Sequence, residues 1–207
     1  MPYGSAMEQR GPWTRHGGER LLSIGHFGVR RDEVTRPDGA RGRYDWVEMA
    51  DQMRIAAVVD GCLLVVEQYH YLVGRLWQLP GGAVDPDDEN AEAAARRELA
   101  EETGFRDGTW TSQGHLFPLP GTTPARVHLW RAEHLAPGPV GLEPGESDLR
   151  VHHVPLAEAV RATQDGRIRC APSATLVLAV AMARPRAAEP GPHAQAEPRR
   201  PRPRTAG

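Results

Sequence analysis

The spacing of apolar and polar residues changes several times along the chain, and each change marks an element. Residues 21–29, 33–35 and 44–49 are short alternating runs around a Pro37-Asp38-Gly39 turn, which predicts a meander of antiparallel strands. Residues 54–59 and 62–68 are β-branched and apolar, and Asp60-Gly61 between them is a hairpin dipeptide, so this pair is expected at the centre of a sheet. A loop follows over 69–86 and contains Gly81-Gly82. The period then becomes helical. Residues 91–103, AEAAARRELAEET, are strong helix formers, with Asn90 or Glu89 near the start and Gly104 placed to end the helix. Strands are expected again over 109–117, 126–132 and 148–154, then helices over 155–164 and 173–182, the second apolar enough to pack on the sheet. Strands interrupted by single helices, without strict strand-helix alternation, predict an α+β fold.

Composition adds boundaries. The 207 residues carry 25 basic and 27 acidic side chains, a formal charge of −2, and 40% are hydrophobic, as in an ordinary soluble domain. The balance is a cancellation. From Arg184 onward six arginines meet two glutamates, +4, among six prolines, which predicts a disordered tail over 184–207 and leaves a body of −6. Residues 1–20 are polar and glycine-rich and are expected to be a flexible N-terminus, so the folded domain is placed at 21–183. There is no secretory core, no membrane-length apolar run and no broad basic surface, which excludes membrane and nucleic-acid partners. Every basic residue is arginine, so lysine chemistry is excluded. Two separated cysteines, Cys62 and Cys170, make no disulfide framework and point to a reducing cytoplasmic compartment.

The chemistry concentrates in the first helix. Glu98 and Glu102 are four residues apart and Glu98 and Glu101 three, which puts three carboxylates on neighbouring turns. A glutamate-rich helix face is ordinarily just solvated surface, and like charges at this spacing cost a few tenths of a kcal/mol per pair. A hard divalent cation would make the arrangement favourable, since such ions take carboxylate oxygens together with water and phosphate.

The context of these residues is distinctive. The stretch GGAVDPDDENAEAAARRELAEETGF, residues 81–105, resembles the Nudix box, whose pattern is G, five residues, E, seven residues, then R-E-U-x-E-E-x-G-U with U apolar. Glu89, Arg97, Glu98, Leu99, Glu101, Glu102, Gly104 and Phe105 match it. One departure is visible: six residues separate Gly82 from Glu89. Either the loop is one residue longer, or Asp88 holds the acidic loop position and Glu89 is incidental. The resemblance implies a Nudix fold, an α/β/α sandwich with a mixed sheet between helices, and hydrolysis of a nucleoside diphosphate linked to a group X. It implies Mg2+ as cofactor, with Mn2+ able to substitute, held by Glu98, Glu102 and the Gly81 carbonyl, with Glu101 serving a second ion. Arg97, Gly82 and Gly104 would be structural, Arg97 by pairing with a loop carboxylate.

The flanks are similar to ADP-ribose pyrophosphatase-like members of that family. VVEQYHYLVGRLWQLPGG, residues 65–82, follows their pattern, with His70 in place of an arginine and Gln78 in place of a glutamate. The resemblance implies a homodimer built by exchange of the N-terminal strands, and a further catalytic acid from a late loop. Glu146 and Asp148 bracket that place, and Glu146 is the choice. Arg54 is a candidate for phosphate contact, Trp46 for stacking on a base, and His70 for a weaker phosphate contact than arginine would make. The expected reaction gives a nucleoside monophosphate and a sugar phosphate from ADP-ribose or a related nucleotide sugar. The alternatives are another diphosphate or nucleoside triphosphate substrate, or a non-catalytic ligand-binding module.

Overall fold

The structure is a computed structural model, and it describes residues 7–183. Residues 1–6 and the expected tail over 184–207 lie outside the described residues.

The first four strands are β1 (Glu8–Arg10), β2 (Trp13–Ile24), β3 (Phe27–Thr35) and β4 (Arg41–Met49), and they form an antiparallel sheet in that order. Strands therefore run through residues 8–20, which were expected to be loose. The pattern concealed them because β1 and β2 contribute nothing to the main core and are half-buried or exposed throughout. Gly18 adds to the loop-like character of the sequence, yet it lies so close to Asp32 that a Cβ there would collide with the carboxylate. The sheet is laced by charge instead. Arg31 faces Asp45 and Arg43 faces Glu33 directly across β3 and β4, with ion pairs at 2.7 and 3.0 Å. Such exposed cross-strand pairs contribute about 0.2–1 kcal/mol each.

A second sheet forms the body. Its strands are β5 (Gln52–Val59), β6 (Cys62–His70), β7 (Gly74–Gln78), β9 (Thr109–Leu116), β10 (Val127–Glu133) and β12 (Arg150–Pro155). The order is β12-β6-β5-β10-β9, with β7 also on β6, and the sheet is mixed because β10 runs parallel to β5. Asp60 and Gly61 both take positive φ, 49° and 79°, the backbone that a two-residue hairpin turn needs. Three helices flank the sheet: α1 (Ala91–Thr103), α2 (Leu156–Gln164) and α3 (Ala171–Ala183). The pairing of β8 (Phe105–Arg106) with β11 (Ala136–Pro137) closes the chain beyond α1.

Alternation along the strands divides the core in two. Met53, Ile55, Ala57 and Leu64 pack with Ala94, Ala95 and Leu99 of α1. Ala56, Leu63 and Val65 face the other way and pack with Ala159 and Ala162 of α2 and Leu176, Val177 and Val180 of α3. The expected α/β/α sandwich is thus present. In α3 the buried positions Ser173, Leu176, Val177 and Val180 follow the helical i, i+3, i+4, i+7 stripe.

One departure from the expected hairpin positions the site. β5 and β6 pair only at Val58–Leu63 and Val59–Cys62, then diverge. The fork between them is filled by the segment read from sequence as loop. β7 pairs with β6 from Val66–Gln78 to His70–Gly74. The chain then crosses to β5, where Ile55 N–H donates to the Pro80 carbonyl at 2.9 Å and Met53 N–H to the Gly82 carbonyl at 3.0 Å. Gly81 and Gly82 are therefore stitched into the centre of the sheet. The N-terminal sheet docks nearby, with Val47 N–H on the Thr122 carbonyl at 2.8 Å and the Tyr44 hydroxyl on the Gly121 carbonyl at 3.0 Å.

Candidate active site

Helix α1 delivers the acids. Asn90 caps it by accepting from the N–H groups of Glu92 and Ala93, both at 2.9 Å, and Gly104 ends it with φ 74°. Ala95, Leu99 and Glu102 lie on one buried stripe, so a carboxylate occupies a position that the helical period assigns to the core. Glu102 is 3% exposed, and its Oε2 accepts from Gly81 N–H at 2.8 Å. Burial pushes its carboxyl up to about 8, and the charges of Glu98 and Glu146 push the same way, while the Gly81 hydrogen bond and Arg54 oppose. Glu98 is raised to about 7, again by burial first, with Arg97 opposing and Glu101 and Glu146 adding repulsion.

The two glycines make this approach possible. A Cβ on Gly82 would lie 2.5 Å from Glu98 Oε1. Gly81 has φ 133°, which side chains rarely adopt, and a Cβ there would run into the Met53 carbonyl. The Gly81 carbonyl accepts from Arg54 Nη1 at 2.8 Å, and Arg54 Nη1 also reaches the Met53 carbonyl at 2.7 Å.

Arg97 is the clamp between helix and loop. Its Nε and Nη2 donate to the two oxygens of Asp88 at 3.1 and 3.0 Å, and its Nη1 donates to Glu101 at 2.9 Å and Glu98 at 3.2 Å. Asp88 is the loop carboxylate, separated from Gly82 by five residues. Glu89 is exposed and takes no part in the clamp. The hydrogen bonds from Arg97 hold the Asp88 carboxyl below its ordinary range.

The late loop separates its two acids. Asp148 accepts from Tyr69 N–H and from Arg75 Nη2, both at 3.1 Å, and so ties the loop to the end of β6 and to β7. Glu146 closes a 3-10 turn, Pro144–Glu146, is half-buried, and lies near enough to raise both Glu98 and Glu102. The charge of Glu146 adds to the field on Glu98 and Glu102, while Asp148 is engaged by Tyr69 and Arg75.

The remaining candidates divide between two cavities of about 470 Å³ each. Arg54 and His70 line one, beside Gln78, Arg169 and Cys170. Sequence reasoning missed Arg169 and Cys170, which stand at the start of α3 and carry no motif. Burial and the charge of Arg54 lower the His70 pKa. Trp46 lines the other cavity with Trp13, Tyr44 and Asp32, and its Nε1–H donates to Asp32 at 3.2 Å. The structure thus brings Arg54 and His70 together and places Trp46 apart from them.

The donor set suits a hard divalent cation. Two carboxylates set side by side away from water need either protons or a cation, and oxygen ligands favour Mg2+ over softer ions. Glu98 and Glu102 would hold it, with the Gly81 carbonyl, whose second lone pair is left by the Arg54 hydrogen bond. Among the described residues no three acidic, imidazole or thiol groups already stand together as a closed cage. Arg97 holds Glu101 through one oxygen, Oε2, at 2.9 Å.

Comparison with known proteins identifies the family. The NUDIX domain family matches residues 51–170, which spans the central sheet, the box and the late loop. The chain is 34% identical over 153 residues to an ADP-ribose pyrophosphatase of Mycobacterium tuberculosis, covering 72% of this chain and 74% of that one. It is 30% identical over 169 residues to a CMP-5'-(N-acetyl-N-hydroxy-3-aminopropyl)phosphonate hydrolase of Streptomyces rubellomurinus, covering 79% and 80%. A crystal structure of an ADP compounds hydrolase superposes with a TM-score of 0.73 at 23% identity, over 84% of this chain and 95% of that one, which shows the shared fold. The box, the fold and these likenesses converge: the chain belongs to the Nudix hydrolase family.

Proposed function

We propose that the chain hydrolyses the diphosphate bridge of a nucleoside diphosphate linked to a small group X, ADP-ribose or a related nucleotide sugar, in a Mg2+-dependent reaction. The observation that carries this reading is the meeting of Glu98 and Glu102 with the Gly81-Gly82 turn, a set of hard oxygens beside a guanidinium. A bound divalent cation neutralises diphosphate charge and favours ionisation of an attacking water. Arg54 orients a phosphoryl oxygen next to Gly81. Glu146 takes the proton of the attacking water as the bridging P–O bond breaks, and the products are a nucleoside monophosphate and the phosphate of X. Glu101, held by Arg97, serves a second cation. Mn2+ substitutes for Mg2+.

The Trp46 ring, with Trp13 and Tyr44 beside it, supplies stacking surface for the base. Leu22, Ile24 and Phe27 are exposed on the N-terminal sheet, which supports a homodimer built through that sheet. Both cysteines are free, in keeping with a reducing cytoplasm. Among the described residues no helix is long and apolar enough to cross a membrane.

The test is a panel of ADP-ribose, nucleotide sugars, dinucleotides and nucleoside triphosphates, with products identified after incubation with Mg2+. Fastest turnover of ADP-ribose or a nucleotide sugar supports the reading. Triphosphates or non-nucleotide diphosphates turned over best would overturn it.

A further inference from the structure

The cavity between β5, β7 and the start of α3 has an unusual wall. Its polar side chains are Arg54, His70, Gln78, Arg169 and the Cys170 thiol, its apolar ones are Val73 and Leu76, and no aspartate or glutamate among the described residues lines it. Two of its nitrogens, Arg54 Nε and His70 Nε2, are shut away from solvent without a hydrogen-bond partner. A buried donor left unmet costs about 1–3 kcal/mol, so such a wall is suited to a ligand that brings acceptor oxygens. Arg169 is exposed at the edge, with its Nη2 on the Arg75 carbonyl at 3.1 Å. The two guanidiniums give the wall a fixed positive charge. His70, with its pKa lowered, adds a neutral hydrogen-bonding group at pH 7.

Location and size say which part of the substrate belongs here. Arg54 joins the cavity to the Gly81 carbonyl, so its inner end abuts the acidic site. At about 470 Å³ the space exceeds what a phosphate needs and falls in the range of cavities that enclose a small organic group. The aromatic surfaces fit for a base stand in the other cavity.

Resting on the diphosphatase reading above, we propose that this cavity seats the group X and selects an X that carries an acid of its own: a short carbon frame bearing a carboxylate, phosphonate or phosphate. Arg169 pairs with that acid while Arg54 holds the adjoining phosphoryl oxygen, His70 and Gln78 bond to oxygens of the acid or to neighbouring hydroxyls, and Val73 and Leu76 cover the carbon frame. A neutral sugar leaves Arg169 without a charged partner and binds less tightly.

UDP-glucuronate and UDP-glucose differ only in a carboxylate against a hydroxymethyl group on the sugar. Their dissociation constants, measured by calorimetry on the full chain with Ca2+ at pH 7.5, test the proposal. The acid is expected to bind about tenfold tighter, equivalent to about 1.4 kcal/mol, and Arg169→Gln is expected to shrink that ratio towards one. Because the readout is a ratio, a general weakening of the variant leaves it unmoved. Equal affinities, preference for the neutral sugar, no saturable binding of either, or a ratio indifferent to Arg169→Gln overturns the proposal. Separately, turnover of ADP-ribose that disappears in Glu102→Gln keeps the diphosphatase reading whichever way the ratio falls, so the two can fail independently.

Discussion

Arg54 and Glu102 grip the same residue from its two ends: Arg54 donates to the carbonyl of Gly81 and Glu102 accepts from its N–H, both at 2.8 Å. One peptide turn is thereby fixed between a cation from the central strand and a carboxylate from the helix. Moving either partner shifts the backbone oxygen assigned to the cation. Glu102→Gln keeps the size of the side chain and removes the charge. Turnover should fall at least about a thousandfold, equivalent to about 4 kcal/mol of transition-state stabilisation, with the circular dichroism spectrum unchanged. Activity within tenfold of the parent would remove Glu102 from the metal assignment.

Stability should depend on pH in a way that metal reverses. Glu98 and Glu102 titrate at about 7 and about 8 in the folded chain, above the ordinary carboxylate value of 4.5. The folded state therefore holds more protons than the unfolded state between about 4.5 and 8, and the contribution of these groups to stability is lost as pH rises through 7–8. Metal-free protein should melt at a lower temperature at pH 8.5 than at pH 6. Mg2+ binds the ionised form, so its stabilising effect should be larger at pH 8.5. Thermal melts with EDTA and with Mg2+ at both pH values check this, and a larger Mg2+ effect at pH 6 would contradict it.

The Arg97 clamp separates two adjacent acids. Asp88→Ala leaves a half-buried guanidinium short of two hydrogen bonds and should cost about 1–3 kcal/mol in denaturant unfolding. Glu89→Gln, on an exposed side chain outside the clamp, should stay within about 0.5 kcal/mol of the parent. The reverse order would return the loop position to Glu89.

Asp148 and Glu146 should separate kinetically. Glu146→Gln is expected to lower kcat by about a hundredfold, the scale of a lost general base, with little change in KM. Asp148→Asn weakens the tie to Tyr69 and Arg75 and should change kcat and KM together, by about tenfold or less, since the acid itself remains. Steady-state kinetics on both variants decide, and a larger kcat loss in Asp148→Asn would exchange their roles.

Legibility followed local signals. The Asp60-Gly61 hairpin and the helix over 91–103 were readable because turn dipeptide, helix formers and terminal residues agree within a few positions. β7 was hidden because its residues run straight into Pro80-Gly81-Gly82, which looks like a loop in any local window. The N-terminal strands β1 and β2 were hidden because they bury little and carry no apolar stripe. Within the site, the box named Glu98, Glu102 and Arg97 by spacing alone. The choice between Asp88 and Glu89 needed the reach of one guanidinium, and Arg169 enters only because the segment before α3 runs against β7, where Trp77 N–H donates to the Arg167 carbonyl at 2.9 Å, a contact between residues far apart in the chain.

The forked hairpin also sets how the protein can move. A turn that holds a cation from a free loop can swing aside. Here the turn is an internal rung of the sheet, hydrogen-bonded through Pro80 and Gly82 to β5. Its amides should exchange with solvent only on the timescale of the sheet's own opening. The segments outside the ladder include the exposed tip at Tyr71 and Leu72 and the turn that carries Glu146. The oxygens assigned to the cation are thus held as firmly as the sheet itself.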